Sequence, residues 1–403
     1  MPGESPLSMM RPERQRGRRP APAAAGPRRR RVWPVALPLC IFIAIAAAWC
    51  GLWYYAAGVA DRTLTGWVAR EAAAGRVYSC VSQSIGGFPL RIQADCDTAA
   101  ATISSVQPPF AVNAKDVSFA AQVYHPTLLV GRITSPLTVA EPGQPPSFVA
   151  NWSGAELSVG GVPPEPDRLD VTLDQARLDH VVAAAATAIF TADHAEFHAR
   201  IVGGSASDNP VIDALMKFSG ATTPTLHPLL AEPVRGEVDA VFRGFKDLTP
   251  RPWRERFREM QASGGNIEIK HLRLERPDSI IVGTGTLTVN ANGKLDGLIH
   301  VAIAGLEQVV PKLGVDRLIG RGIDRLGGGA GQSQQGLNAL DRLMPGLSGV
   351  VRDSANTNII DNLNKMGQPT EIDKKPAIVL PLNFSDGFVS LGMVPLGEVP
   401  ALF

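Results

Sequence analysis

Side chains suited to metal, redox and nucleophilic chemistry are scarce in this chain: 403 residues hold four cysteines, seven histidines and four tyrosines. No Cys-x-x-Cys occurs, which excludes a dithiol redox motif. No Gly-x-Ser-x-Gly elbow occurs either, so nothing marks a serine hydrolase. Gly283-Thr284-Gly285 lacks the third glycine and following helix of a dinucleotide fingerprint, and Gly293-Lys294-Leu295 lacks the Ser or Thr of a P-loop. Gly320-Arg321-Gly322 lies in a helical pattern and reads as packing. Neither a catalytic constellation nor a cofactor fingerprint emerges, and the expectation is a protein that is not an enzyme and needs no cofactor.

Charge is missing altogether from residues 32–55. Residues 35–55 are enough for about 31 Å of helix, the thickness of a bilayer core. The preceding tail carries nine arginines (Arg11, Arg14, Arg16, Arg18, Arg19 and Arg28 to Arg31) against Glu4 and Glu13, a net charge of +7. Basic flanks resist translocation, so the tail is expected in the cytoplasm and everything after the span outside it. The small-residue stretch 56–60 would also suit cleavage of a signal peptide. Trp49, Trp53, Tyr54 and Tyr55 crowd the far end of the span, however, as they do at a membrane interface, and favour retention. The expected organisation is a disordered Arg/Pro-rich tail (1–31), a transmembrane helix (32–55) and an ectodomain (56–403).

The whole chain carries +1, which leaves −6 for the ectodomain and argues against a nucleic-acid partner. Cys40 and Cys50 lie within the span; Cys80 and Cys96 lie beyond it. The last two flank the turn-like Gly86-Gly87-Phe88-Pro89, centred on Phe88. A hairpin folded there sets them opposite each other within disulfide range, as a structural staple in an oxidising compartment.

Period-two alternation dominates the ectodomain. Segments 111–123, 148–159, 169–178, 195–202, 234–242, 267–274, 279–289 and 295–303 alternate apolar and polar residues, as strands with one buried and one wet face do. Strands are also expected at 377–382 and 388–394, around Ser385-Asp386-Gly387. Helices are expected at 57–75, 178–191 (alanine-rich), 210–218, 252–262, 306–326, 337–344 and near 357–366, with a glycine-rich linker at 327–336. The fold class is α+β, mainly β: an elongated, twisted antiparallel sheet with packed helices, after a single N-terminal transmembrane helix.

Two features are candidate sites. His194-Ala195-Glu196-Phe197-His198 would put three polar side chains on one face of a strand, or its two histidines one turn apart on a helix, and either geometry could present metal ligands. Without a second cluster, a wet sheet face accounts for it better, and no metal is expected. The turn Gly87, Phe88, Pro89 reads either as a recognition tip or as a turn whose Phe88 packs back onto the sheet. The second reading is favoured, because phenylalanine is usually buried.

Three passages resemble one family. Ser84-Ile85-Gly86-Gly87-Phe88-Pro89-Leu90 running to Cys96, the strand pair 267–305 with Gly283-Thr284-Gly285-Thr286-Leu287-Thr288-Val289, and the closing 379–402 resemble domain of unknown function 2125. That resemblance implies a single N-terminal anchor and an extended β-rich ectodomain in a Gram-negative envelope, with no catalytic residues to carry over. The strand-turn grammar is also similar to AsmA-like envelope proteins, an analogy at fold level. The expected protein is non-enzymatic and single-pass in the inner membrane, its C-terminal ectodomain in the periplasm. Its expected partners are the membrane itself and lipid or envelope proteins. The alternative is a scaffold or adaptor that docks proteins without binding small molecules.

Overall fold

The computed structural model describes residues 33–162, 165–183, 185–225, 230–249, 251–313 and 347–403. The tail 1–31, the linker 327–336 and the helix expected at 337–344 lie outside the described residues. Helix α1 (Trp33–Ala73) is 41 residues long, about 62 Å and twice a bilayer core. Its stretch Ala36–Ala73 is long and apolar enough to cross a membrane. Leu37, Phe42, Ile43 and Ile45 are each more than half exposed, a surface that suits hydrocarbon rather than water. Two compact units meet within this helix, the first ending at Leu52 and the second running Trp53–Phe403.

The second unit is built on one antiparallel sheet of 17 strands. Its first half is β1 (Arg76–Gly86), β2 (Arg91–Ile103), β3 (Phe110–Gln122) and β4 (His125–Ala140), then β5 (Phe148–Asn151), β6 (Gly154–Gly160), β7 (Arg168–Val182) and β8 (Ala185–Ser205). There follow β9 (Asp208–Ala221), β10 (Val234–Phe242), helix α2 (Trp253–Ala262), β11 (Asn266–Glu275), β12 (Ile280–Val289) and β13 (Leu295–Ala304). Helix α3 (Leu306–Val309), a 3-10 turn (Val310–Leu313) and α4 (Leu347–Met366) precede β14 (Gln368–Ile372), β15 (Lys375–Ser385), β16 (Phe388–Leu391) and β17 (Val394–Glu398). Strands pair mostly with their sequence neighbours. The exceptions are β5 and β6, which share one lane between β4 and β7, and β15, which pairs with β13 along one edge and with β14 and β16 along the other.

Two expected helices are strands. The alanine-rich 178–191 forms the end of β7 and the start of β8, with Leu178 opposite Phe190 and Val181 opposite Ala186. Alanine's helix preference is worth only tenths of a kcal/mol per residue, and the β-branched and aromatic neighbours Val181, Val182, Ile189 and Phe190 favour the sheet. Segment 210–218 is β9. Its apolar residues satisfy helical spacing, but Ala214, Met216 and Phe218 also alternate, and pairing on both sides settles the ambiguity. The helices expected at 57–75, 252–262 and 357–366 are present within α1, α2 and α4. Of 306–326, only 306–313 is described, and it is helical.

The best-packed core lies at the C-terminal end of the sheet. Ile299, Val301 and Ile303 of β13 and Leu380 of β15 meet Leu306, Val309, Val310 and Leu363 of the helical segments, each under a tenth exposed. A second cluster seats Met260 of α2 against Phe245 and Val289. Leu380 is 0% exposed, so Leu380→Ala should cost about 2–5 kcal/mol in chemical denaturation of the full chain. Leu157→Ala on half-buried β6 should cost clearly less. Equal losses would mean that the β6 region is covered as fully as the C-terminal core.

Candidate functional site: an apolar sheet face in continuous register

Directly paired antiparallel residues point to the same face of a sheet. Following the pairs from β1 gives one unbroken line: Ile85–Ala94, Ala94–Phe119, Phe119–Gly131, Gly131–Leu157, Leu157–Val171 and Val171–Phe197. It continues through Phe197–Met216, Met216–Val238, Val238–Leu272, Leu272–Gly283, Gly283–Val301 and Val301–Leu380. Every member is aliphatic, aromatic, methionine or glycine. The flanking lines repeat the pattern, with Ile92, Ala121, Leu129, Val159 and Leu169 on one side of it.

Two glycine positions confirm the facing. A Cβ on Gly131 would lie 2.7 Å from the Phe119 ring, and one on Gly236 would lie 2.2 Å from that of Phe218. In both places an aromatic ring lies across the neighbouring strand where a side chain would stand, and the face is apolar even where it has no side chain.

Burial changes along the line. Val301 and Leu380 are buried beneath α3, the 3-10 turn and α4. From Ile85 to Leu272, apart from Gly131, every member is half-buried or exposed, and Met216 reaches 46% exposure. Among the described residues, the later helices pack against β12 and β15. Between strands ~4.8 Å apart, the path from β1 to β11 measures about 43 Å.

The opposite face is polar, and the candidate metal cluster lies on it. His194 Nδ1 bonds Asp174 Oδ1 (2.7 Å) and its Nε2 bonds Glu196 Oε1 (2.9 Å). His198 Nδ1 bonds Asp170 Oδ1 (2.8 Å) and its Nε2 bonds Glu196 Oε2 (3.3 Å). The three side chains share a face, as a strand requires, but carboxylates occupy all four ring nitrogens. Among the described residues no group of three or more His, Cys, Asp or Glu is arranged to hold a metal. A neighbouring depression of about 320 Å³ is lined by Lys217, Arg235 and Arg273 and by Glu196, Glu237 and Glu275. Its lining also includes His194, so basic and acidic groups are mixed there.

The hairpin β1–β2 carries the other predicted features. Cys80 and Cys96 are disulfide-bonded, with Cα atoms 5.6 Å apart. They are not directly opposed: Cys80 faces Ala99 and Cys96 faces Gln83. The Arg91 N–H donates to the Gly87 carbonyl (3.1 Å), and Gly86 pairs with Gln93, which centres the hairpin beyond Phe88. The ladder lapses between Cys80 and Ser82, and Thr98 on the facing strand adopts φ 54°. This interruption lets the two sulfurs meet across an odd offset. Gly87 has φ 97°, and a Cβ there would lie 2.7 Å from the Arg91 carbonyl oxygen, so the turn requires glycine.

Phe88 does not pack onto the sheet. It is 51% exposed, and its ring stands edge-on to Trp53 of α1 at 5.4 Å. The Trp53 indole N–H donates to the Arg91 carbonyl (2.9 Å). Trp53 is 7% exposed, a packed residue where the sequence suggests an aromatic facing lipid headgroups. Sequence reasoning missed this role because a tryptophan at the end of an apolar span already has an interfacial reading.

A family model described as "Uncharacterized protein conserved in bacteria (DUF2125)" matches residues 53–400. The chain belongs to DUF2125. The DUF2125 match begins at Trp53, where the second compact unit also begins, so it takes in both partners of the Trp53–Phe88 contact. No curated protein matches this DUF2125 chain.

The histidines give this unit a pH signature. Glu196 and then Asp174 hold the His194 imidazolium above its ordinary 6.5; Asp170 first, then Glu196 against the pull of burial, do the same for His198. A raised folded value means stabilisation that is complete below about pH 6.5 and is lost as pH rises through the folded value. Both rings are more than a third exposed, so the stability effect is small. NMR titration should find both histidines above 6.5. Glu196→Gln should lower His194 more than His198, because Glu196 is the leading partner of His194 alone.

Proposed function

We propose that this protein is a membrane-anchored, non-enzymatic component of the bacterial cell envelope whose apolar sheet face holds the acyl chains of lipid. One observation carries the reading: the apolar line that stays in register from β1 to β15 yet is half-buried or exposed through β11. Acyl chains need apolar area rather than directed bonds. Half a bilayer core is ~15 Å, so a path of about 43 Å accommodates a chain lying lengthwise more than once. Transfer from a bilayer exchanges one apolar surface for another. The driving force is therefore far below the ~0.8 kcal/mol per CH₂ of transfer from water, and loading is reversible.

The nine tail arginines and the Cys80–Cys96 bridge support an inner-membrane anchor with the sheet in the periplasm. A reporter active only outside the cytoplasm, fused after Phe403, should be active. Replacing Arg28 to Arg31 by Glu should weaken or invert that preference. Activity of a cytoplasm-only reporter on the unaltered chain would overturn the orientation.

The scaffold reading has one observation of its own. Edge strand β1 pairs with β2 alone among the described residues and, between its contacts with α1, leaves Val81 80% exposed, a point at which a partner could dock. Photo-crosslinking in cells separates the two. A benzophenone side chain at Met216 should capture lipid detectable by mass spectrometry, while one at Lys217, on the opposite face, should not. Protein adducts at 216 would favour the scaffold, and no adduct at 216 would sink the lipid reading.

A further inference from the structure

We propose that two adjacent hairpin tips, residues 87–91 and 122–125, seat in the headgroup layer of the membrane that α1 crosses. This inference is independent of whether the sheet carries lipid.

The positioning follows from how β1 runs beside α1. Beyond the span, contacts between the two descend in antiparallel order. Arg76 Nη2 donates to Glu71 (3.0 Å), the Tyr78 ring lies 4.9 Å from Trp67, Gln83 Nε2 donates to Asp61 (3.4 Å), and Phe88 meets Trp53. From Glu71 to Trp53 is 18 residues, about 27 Å of helix. The chain climbs that far from the end of the apolar span, and β1 returns over the same distance. The tip therefore comes to rest beside Trp53, Tyr54 and Tyr55, the aromatic group at the end of the uncharged stretch, where interfacial side chains concentrate.

The second tip is tied to the first. The Val123 N–H donates to the Leu90 carbonyl (3.0 Å), and Arg91 pairs with Gln122. Leu90 is 59% exposed and Tyr124 66%, beside half-exposed Phe88. Single exposed apolar residues are ordinary. Three large ones on two bonded turns, at a level set by Trp53, form a surface that the headgroup layer satisfies. Residues 86–92 and 121–126 contain Arg91 and His125 and no carboxylate, which suits anionic lipid.

The test uses the full chain in phosphatidylcholine–phosphatidylglycerol vesicles, with Cys40 and Cys50 changed to Ser and the Cys80–Cys96 bridge intact. An environment-sensitive fluorophore is attached in turn at Leu90→Cys, Tyr124→Cys and Gln107→Cys, the last in the loop at the far end of the β2–β3 pair. All three positions are exposed, and an unchanged circular dichroism spectrum certifies each fold. Probes at 90 and 124 should shift to the blue and be quenched by lipids spin-labelled near the headgroup, while the probe at 107 does neither. The proposal is overturned if 90 and 124 behave like 107, if only one of them is quenched, or if they shift to the blue without quenching by lipid, which would indicate a protein contact.

Discussion

Register is the constraint on which the rest of this structure depends. A strand that slips by one residue turns its apolar set to the other face, and here thirteen strands must agree for one line to stay apolar. Irregularities occur at Asp239/Ala240, Ile269/Leu272 and Ala114/Asp116. These and others leave every pair of the line intact. The two-sided character of the sheet is thus an accumulated product of many local hairpins, each contributing a pair of neighbours and none sufficient alone. Pairing between sequence neighbours also keeps most connecting loops short, which lowers the entropic cost of closing each pair.

The second organising contact is between the long helix and the first strand. Its members are chemically unlike: an ion pair at Glu71, tilted rings at Trp67, a hydrogen bond from the Gln83 amide to Asp61 and an indole–carbonyl hydrogen bond at Trp53. The Glu71–Arg76 pair is largely screened from solvent, its side chains 16% and 15% exposed. The edge-to-face rings of Trp53 and Phe88, with the indole hydrogen bond, add a directional lock at the other end of the strand. One end of the sheet is thereby attached to the helix that carries the apolar stretch, and the start of the family match at Trp53 is consistent with that residue belonging to the folded unit.

Much of the fold was legible in the sequence. Segments such as 267–303 alternate cleanly because one face is apolar, and 32–55 lacks charge because hydrocarbon excludes it. Ambiguity arose where both periods fit. In 210–218 the apolar residues satisfy a helix and a strand equally, and alanines at 183–188 favour a helix only until neighbouring strands pair with them. The cysteine hairpin was legible, but its register was not, since the Gly87–Arg91 bond and the lapse near Thr98 move each cysteine off its expected partner. The apolar face itself could not be read beforehand. Each strand reveals which of its residues share a face, but not which residue of the next strand lies beside them, and a glycine covered by a phenylalanine leaves no mark in the alternation.

One asymmetry bears on direction of travel. Along the line, Phe119 and Leu157 are half-buried and Met216 is exposed, while Leu380 and the helical Val310 packed against it have no exposed surface and Leu363 almost none. Among the described residues the C-terminal helices therefore close the path at β13 and β15. The apolar face is thus accessible from β1 to β11 and covered at its C-terminal side. For the proposed lipid holder this makes the face a dead end at its C-terminal side, a geometry for keeping cargo rather than for bridging two membranes.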